Sequence, residues 1–262
     1  MVWSEWKPIP MNWPGFRNVG VPSVIERRPF GSLLGDQRSW LKAKHHFLFD
    51  DSKDTWGALL MWNDDEIAPA GGFAPHSHAN MEIVTYVRRG AISHRDSLGN
   101  SGRTVAGDVQ VLSAGTGIRH SEFNLEPEAT HIFQIWIKPT VDGGSPAWGT
   151  KPFAKQDRAG RLVVLASGYN SDMDALPLRA QARVLGATPK RNQTVEYEVG
   201  ERRYLYLVPA IGQVLVNGLQ IDTRDGAAIK DVRRLIITAI KDSEFVLVDA
   251  PEGRSVASPK AA

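Results

Sequence analysis

The sequence contains no cysteine, so disulfide bonds, zinc ribbons, iron–sulfur clusters and thiol catalysis are all excluded. It also lacks any run of about 18 apolar residues, so we expect no transmembrane helix. Glu5 and Pro8 stand where a secretory leader needs an apolar stretch, and a cytoplasmic location is therefore expected. The net charge is only +2 and no basic stripe is present, so we expect neither nucleic acid nor a membrane as a partner.

Histidine is absent from the second half of the chain. The chain has seven histidines, which are His45, His46, His76, His78, His94, His120 and His131. Any imidazole chemistry therefore belongs to the first half.

Short strands separated by glycine turns dominate what is present. The chain has 24 glycines and 16 prolines, and runs such as 82–87 and 204–208 are rich in β-branched and aromatic residues. The order of strands and turns in 82–137 recurs in the second half, which predicts two copies of one small β-barrel. The alternative is one irregular all-β domain of unrelated strands. The best helical candidate lies around Leu178–Leu185.

Composition divides the chain into four parts. Residues 1–38 are rich in proline, glycine and arginine, and we expect them to form an arm on the surface. Residues 39–150 and 151–250 would hold the two barrels. Residues 251–262 are small and polar, and they are expected to form a flexible tail.

Two pairs of polar residues can carry chemistry, His76 with His78 and His120 with Glu122. Residues i and i+2 of a strand point to the same face, so each pair would project both side chains into one cavity. Three imidazoles and one carboxylate suit a divalent transition metal and leave positions open for a substrate or dioxygen. Glu82 is an alternative carboxylate, because it is in phase with His78 along an extended chain.

The surroundings of these pairs resemble the paired motifs of the cupin superfamily, and within it those of the pirin family. Gly71 precedes the first pair, and Gly107 and Gly115 precede the second. The segments that resemble pirin motifs are Trp40-Leu41, 75–86, 94–100, 107–110, 113–122 and 134–137. The clear resemblance covers residues 39–153, and a weaker one extends to about 250.

The resemblance implies an all-β fold of two tandem cupin barrels, a bicupin. It implies that the N-terminal barrel binds one metal ion through four residues, His76, His78, His120 and Glu122. Because the family pattern favours Glu122 as the ligand, Glu82 is assigned a supporting position, holding the site or hydrogen-bonding a ligand imidazole. In the second barrel the corresponding strand, 235–240, is apolar apart from Thr238, so no metal site is expected there.

Other polar residues of the first half are weaker candidates. His94 lies beside a turn and is expected to make a hydrogen bond rather than a metal bond. His45 and His46 are adjacent and face opposite ways in a strand, so at most one of them can approach the site. Gln134 and Thr85 could line the cavity, as any packed barrel interior also predicts.

The resemblance also implies an activity, quercetin 2,3-dioxygenase, which opens the central ring of a flavonol with dioxygen and releases carbon monoxide. The expected partners are a flavonol-like aromatic substrate and dioxygen, with Glu122 as general base. The expected cofactor is one divalent transition metal, with iron first and manganese, cobalt, nickel, copper or zinc as alternatives. A monomer is expected, since the chain already pairs two barrels.

Two other functions fit the same residues. One is a non-enzymatic, metal- or redox-responsive regulatory protein that binds a transcription factor or a metabolic enzyme. The other is a structural metal site in a small-molecule-binding barrel. The absence of a basic stripe and of a DNA-binding motif gives the first no support. Open coordination positions argue against the second, because structural sites are usually closed.

Overall fold

The computed structural model describes residues 23–47 and 55–253. The predicted arm and tail therefore lie partly outside the described residues, at 1–22 and 254–262. Within the described part of the chain, no helix is long and apolar enough to span a membrane.

Nearly all regular structure in the described residues is β-strand. The strands of the first half are β1 (Val24–Arg28), β2 (Gly35–Gln37), β3 (Leu41–Phe47), β4 (Leu59–Ile67), β5 (Gly72–His78), β6 (Glu82–Arg89), β7 (Ala91–Asp96), β8 (Ser101–Val105), β9 (Val109–Ser113), β10 (Ile118–Phe123), β11 (Thr130–Ile137) and β12 (Ala147–Lys151). The strands of the second half are β13 (Val163–Ser167), β14 (Leu176–Pro177), β15 (Arg183–Ala187), β16 (Thr194–Glu198), β17 (Arg203–Ile211), β18 (Val214–Val216), β19 (Leu219–Ile221), β20 (Gly226–Lys230), β21 (Arg234–Ala239) and β22 (Glu244–Pro251). The helical segments in this part of the chain are two short 3-10 turns, Phe30–Ser32 and Lys155–Arg158. The predicted all-β fold is confirmed.

The first domain consists of two antiparallel sheets that enclose an apolar interior. The larger sheet has the order β12-β9-β6-β11-β4-β3-β2, and the smaller has the order β5-β10-β7-β8. Two clusters of buried side chains fill the interior, one containing Ile92 and Ile132 and the other containing Leu112 and Ile118. Side chains alternate between the two faces of each strand, so every second residue of the larger sheet points inward.

The second domain repeats this arrangement strand for strand. Its sheets have the orders β1-β20-β17-β22-β15-β13-β14 and β16-β21-β18-β19. Strand β21 lies between β16 and β18, just as β10 lies between β5 and β7 in the first domain. The predicted repeat is therefore confirmed, and the molecule has the tandem cupin architecture.

Part of the predicted arm belongs to the second domain. Strand β1 pairs antiparallel with β20, with Val24 opposite Lys230, and takes the edge position that β12 occupies in the first domain. The Arg27 guanidinium holds it there by donating to Asp225 at 2.6 Å. The backbone N–H of Phe30 donates to the same carboxylate at 2.7 Å. Strand β1 is thus tied to the domain that is more distant in sequence, whereas β2, which also lies within the predicted arm, pairs with β3 in the first domain.

The two larger sheets pack face to face and join the domains in one apolar core. The rings of Trp62 and Tyr206, one from each domain, meet edge to face with centroids 5.5 Å apart. Beside them the fully buried Asp64 accepts two hydrogen bonds from Arg224 of the second domain, at 2.6 and 2.9 Å, and one from Arg88. Apolar packing and a buried ion-pair cluster therefore hold the same interface.

The helix predicted around Leu178–Leu185 is wrong. The segment is a bend at residues 179–181 followed by β15, and its first part alternates between buried residues at Leu178, Ala180 and Ala182 and exposed residues between them. The buried side chains join the core between the domains. A period of two is that of a strand, and tertiary packing overrides the helical propensity of leucine and alanine here.

Candidate metal centre

Strands β5 and β10 bring three histidines together on the inner face of the first barrel. His120 lies directly opposite His76 in the antiparallel ladder, and His78 follows two residues later on the same face. Ring centroids are 4.8 Å apart for His76 and His78, and 4.5 Å for His76 and His120. One candidate ligand atom from each of the three lies within 4.8 Å of the other two.

The protonation states of these rings suit metal binding. His76 Nδ1 lies 2.8 Å from the backbone oxygen of Ala74, which can only accept, so Nδ1 carries the hydrogen and Nε2 keeps a free lone pair. Burial, with a smaller contribution from the neighbouring His76, lowers the pKa of His78 to about 4 and that of His120 to about 3. At neutral pH the rings of His78 and His120 are therefore uncharged, which is the form that binds metals.

His120 gives the clearest indication that the site accommodates a cation. Its side chain is buried, and neither ring nitrogen has a hydrogen-bond partner among the described residues. An unpaired buried polar group costs about 1–3 kcal/mol. A metal ion would bind the lone pair of one of these nitrogens and remove that cost, so the residues present fit the implied metal.

Glu122 is set apart from the His76–His78 pair by a break in the ladder. The register of β10 against β5 shifts between His120 and Glu122, and the carboxylate faces His94 on the next strand, β7. Glu122 is fully buried, and burial raises its pKa to about 7 against the opposing effect of its hydrogen bonds. The four predicted ligands therefore do not form a single compact group, because Glu122 groups with His120 and His94.

Two glutamines hold the Glu122 carboxylate. Gln110 donates to Oε1 at 2.5 Å, and Gln134 donates to Oε2 at 2.8 Å. Each amide is oriented by an indole N–H, because Trp148 donates to Gln110 Oε1 and Trp136 donates to Gln134 Oε1, both at 3.3 Å. The amide nitrogens are thereby turned toward Glu122.

The two glutamines belong to one row of polar residues that crosses three adjacent strands of the larger sheet. Gln110 lies opposite Thr85, and Thr85 lies opposite Gln134, so all three share the inner face. Gln134 and Thr85 were expected candidates for the cavity wall, and their positions fit that expectation. The sequence analysis did not identify Gln110 as a candidate, because its place on this face depends on the pairing of β9 with β6.

His94 is more closely integrated into the centre than the sequence suggests. It makes the expected hydrogen bond, with Nε2 lying 3.0 Å from Asp96 Oδ2, and its ring stacks on Trp148 at 4.7 Å and 3°. Its other nitrogen, Nδ1, is buried and has no partner among the described residues. Candidate ligand atoms of His94, His120 and Glu122 lie within 4.8 Å of one another, which forms a second group that shares His120 with the first.

Glu82 faces away from the histidines. Strand β5 ends at His78 and β6 begins at Glu82, so the two residues lie in different strands and the expected phase relation is lost across the turn. The Glu82 carboxylate accepts from the Ser113 hydroxyl at 2.6 Å and from the backbone N–H of Arg179, in the second domain, at 3.0 Å. Burial raises its pKa. Neither hydrogen bond is to an imidazole. The hydrogen bond from Arg179 makes Glu82 a link between the two domains.

The adjacent histidines of β3 lie outside both groups. His45 contacts Asn63 at 2.8 Å on the inner face, whereas the buried His46 contacts the Tyr206 hydroxyl at 3.0 Å between the domains. They point in opposite directions, in line with the strand geometry. The strand of the second barrel that corresponds to β10 buries apolar residues such as Leu235, as its sequence indicates.

Two tandem cupin domains, the first of which gathers imidazoles and a buried carboxylate, define a bicupin with the ligand types of a transition-metal site. Comparison with known proteins narrows this class. The family model described as Pirin matches residues 26–137, and the model described as quercetinase C-terminal cupin domain matches residues 164–250. A pirin-like protein of Caulobacter vibrioides is 61% identical over 231 residues, covering 87% of this chain and 100% of that protein. The chain belongs to the pirin family.

Relatives with more specific names are more distant. A quercetin 2,3-dioxygenase of Escherichia coli K12 is 35% identical over 217 residues, covering 81% of this chain and 92% of that protein. The crystal structure of the bacterial pirin YhhW from Escherichia coli in complex with nickel(II) superimposes with a TM-score of 0.80 at 32% identity, covering 87% of this chain and all of that one. Sequence and fold therefore point to the same family.

Proposed function

We propose that this protein is a metal-dependent dioxygenase that opens the central ring of a flavonol such as quercetin and releases carbon monoxide. Both atoms of dioxygen enter the products while one ring carbon leaves as carbon monoxide, so the reaction needs no external reductant. The observation that carries the proposal is the convergence of imidazoles and one buried carboxylate inside a barrel. The quercetin 2,3-dioxygenase name of the Escherichia coli relative supports it.

The residues proposed to hold the ion are His76, His78, His120 and Glu122. When bound, a divalent transition metal supplies a Lewis acid that lowers the pKa of a coordinated hydroxyl. Iron is our first choice, and the nickel complex of YhhW supports nickel as an alternative. On the protein side, Trp136 packs edge-on against His78 with centroids 4.9 Å apart and limits rotation of that ring.

Glu122 is proposed to accept the proton of the flavonol 3-hydroxyl. Gln110 and Gln134 each occupy one lone pair of the carboxylate and fix its orientation. An ionised carboxylate has about four acceptor sites, so lone pairs remain for a substrate proton. The surrounding barrel wall excludes water from this carboxylate, since its residue is only 2% exposed.

Matched substitutions of two carboxylates test the proposal. The purified chain is loaded anaerobically with iron(II), and in parallel with the other candidate metals, and quercetin absorbance and carbon monoxide are followed after admission of air. Loss of general-base catalysis in Glu122→Gln is expected to lower kcat by about 10²- to 10⁴-fold. Glu82→Gln, an equally buried carboxylate that faces away from the site, is expected to keep both metal and turnover.

The outcomes separate the functions considered. Absence of turnover with every metal, in a chain shown by elemental analysis to be loaded, contradicts the dioxygenase and supports the regulatory alternative. A kcat equal to that of wild type in Glu122→Gln contradicts the assignment of Glu122 as the general base. Loss of metal in Glu82→Gln but not in Glu122→Gln contradicts the choice of ligand carboxylate.

A further inference from the structure

His120 belongs to two overlapping groups of candidate ligands. The outer group comprises His76, His78 and His120, and the first two of these are partly exposed. The inner group comprises His94, His120 and Glu122, which are 1–2% exposed. We propose that the inner group is a second position for the metal ion, in which His94 is a ligand, adjacent to the outer position and sharing His120 with it.

His94 is prepared to bind a metal through Nδ1. The Asp96 carboxylate lies 3.0 Å from His94 Nε2, also accepts from the Asn100 amide, and can only accept, so the His94 hydrogen resides on Nε2. The lone pair of Nδ1 is then free, buried and without a partner among the described residues. A carboxylate that receives the distal N–H of an imidazole is the usual support of a histidine metal ligand.

The ring of His94 is also fixed in orientation. It stacks on Trp148 at an interplanar angle of 3°, and the indole N–H of Trp148 donates to Gln110. Gln110 in turn donates to Glu122, so the same chain of contacts positions both a nitrogen and an oxygen ligand of the inner group. Such prior ordering reduces the entropy that binding would otherwise cost.

The inner and outer groups differ in charge. In each group the candidate ligand atoms lie within 4.8 Å of one another, whereas three ligands bound at about 2.1 Å to one ion average at most about 3.6 Å apart, so either group would have to close around the ion. The outer group offers three imidazoles and no carboxylate, and two of the three are partly exposed. The inner group adds the Glu122 carboxylate, which compensates the charge of a divalent cation buried away from water.

His120 can serve either position through the ring nitrogen that carries its lone pair, because no hydrogen bond from the described residues fixes either nitrogen. An ion leaving His76 and His78 would therefore keep one ligand while gaining two. The inference rests on the proposed metal site but not on its catalytic activity, and it is tested without substrate.

Cobalt(II) is the probe, since its visible absorption reports binding and the number of ligands. The double variant His76→Ala/His78→Ala removes the outer group at partly exposed positions. If the inner position exists, this variant still binds cobalt(II) with a visible spectrum, and adding His94→Ala abolishes the spectrum. Adding Asp96→Asn instead is expected to weaken cobalt(II) binding by about 10- to 100-fold. Adding His131→Ala, a histidine outside both groups, is expected to change nothing.

Circular dichroism establishes that each variant is folded. A folded double variant that binds no cobalt(II), or binding that survives His94→Ala, overturns the inner position. If the double variant does not fold, His78→Ala compared with and without His94→Ala gives the same decision: equal cobalt(II) affinities overturn the proposal. Failure of quercetin turnover in the wild-type chain leaves these titrations unaffected, so the two proposals fail independently.

Discussion

Asp65 is a buried acid whose effect on stability can be measured. It lies on the inner face of β4, opposite Ala43 and Ile132, and neither carboxylate oxygen has a hydrogen-bond partner among the described residues. Burial, helped by the negative charges of Asp64 and Glu122 and opposed by Arg88, raises its pKa to about 8. The folded protein therefore holds a proton on Asp65 at neutral pH.

The size of the effect follows from the difference in pKa between the two states. In the unfolded chain the carboxyl titrates near 3.8, so between pH 4 and 8 only the folded state is protonated. The contribution of Asp65 to stability is therefore greatest below pH 4, falls about tenfold in the folding equilibrium constant per pH unit between pH 4 and 8, and levels off above pH 8. Across the whole range this loss is about 6 kcal/mol.

Asp65→Asn removes the titration while preserving the shape of the protonated acid. Urea unfolding at pH 5 and pH 8, at constant metal content, is expected to show the variant gaining about 4 kcal/mol relative to wild type between the two values. The buried amide imposes a cost of its own, but that cost does not depend on pH. Asp142→Asn, at an exposed turn, is the control. Parallel pH profiles for Asp65→Asn and wild type would refute the reasoning.

Two further variants probe the interface between the domains. Arg224→Ala removes two hydrogen bonds from the buried Asp64, which keeps Arg88, and is expected to lower the free energy of unfolding by about 2–3 kcal/mol. An unchanged urea midpoint would show that this cluster is not stabilising. Gly226→Ala would place a Cβ 1.8 Å from the Tyr206 hydroxyl, and this overpacking is expected to cost about 1–3 kcal/mol in thermal unfolding. A Tm equal to that of wild type would mean that the Tyr206 ring moves aside freely.

The parts of the structure that depend on local pattern were predictable. Period-two alternation with glycine turns gave the strands and their repeat, and i, i+2 spacing placed His76 and His78 on one face. The same rule applied to Glu82 gave the opposite of its observed direction. The reason is that the chain turns between β5 and β6. The alternation of side chains along β5 therefore does not continue into β6.

The parts that depend on distant pairing were not predictable. The register shift after His120, which separates Glu122 from His76 and places it opposite His94, has no local sequence pattern. The orientation of Gln110 depends on Trp148, which reaches it from the edge strand β12. Such contacts are fixed by the order of strands in the sheets, which the amino-acid sequence by itself does not reveal.

The edge position of β1 has a consequence for how the chain is made. Arg27 is synthesised early, yet its partner Asp225 lies 198 positions further along. The second barrel can complete its larger sheet only when this early segment returns, so the arm must stay accessible while the first barrel forms. Pairings over such separations slow folding. During translation, β1 is therefore made long before β20, and this pair can form only after most of the chain has been synthesised.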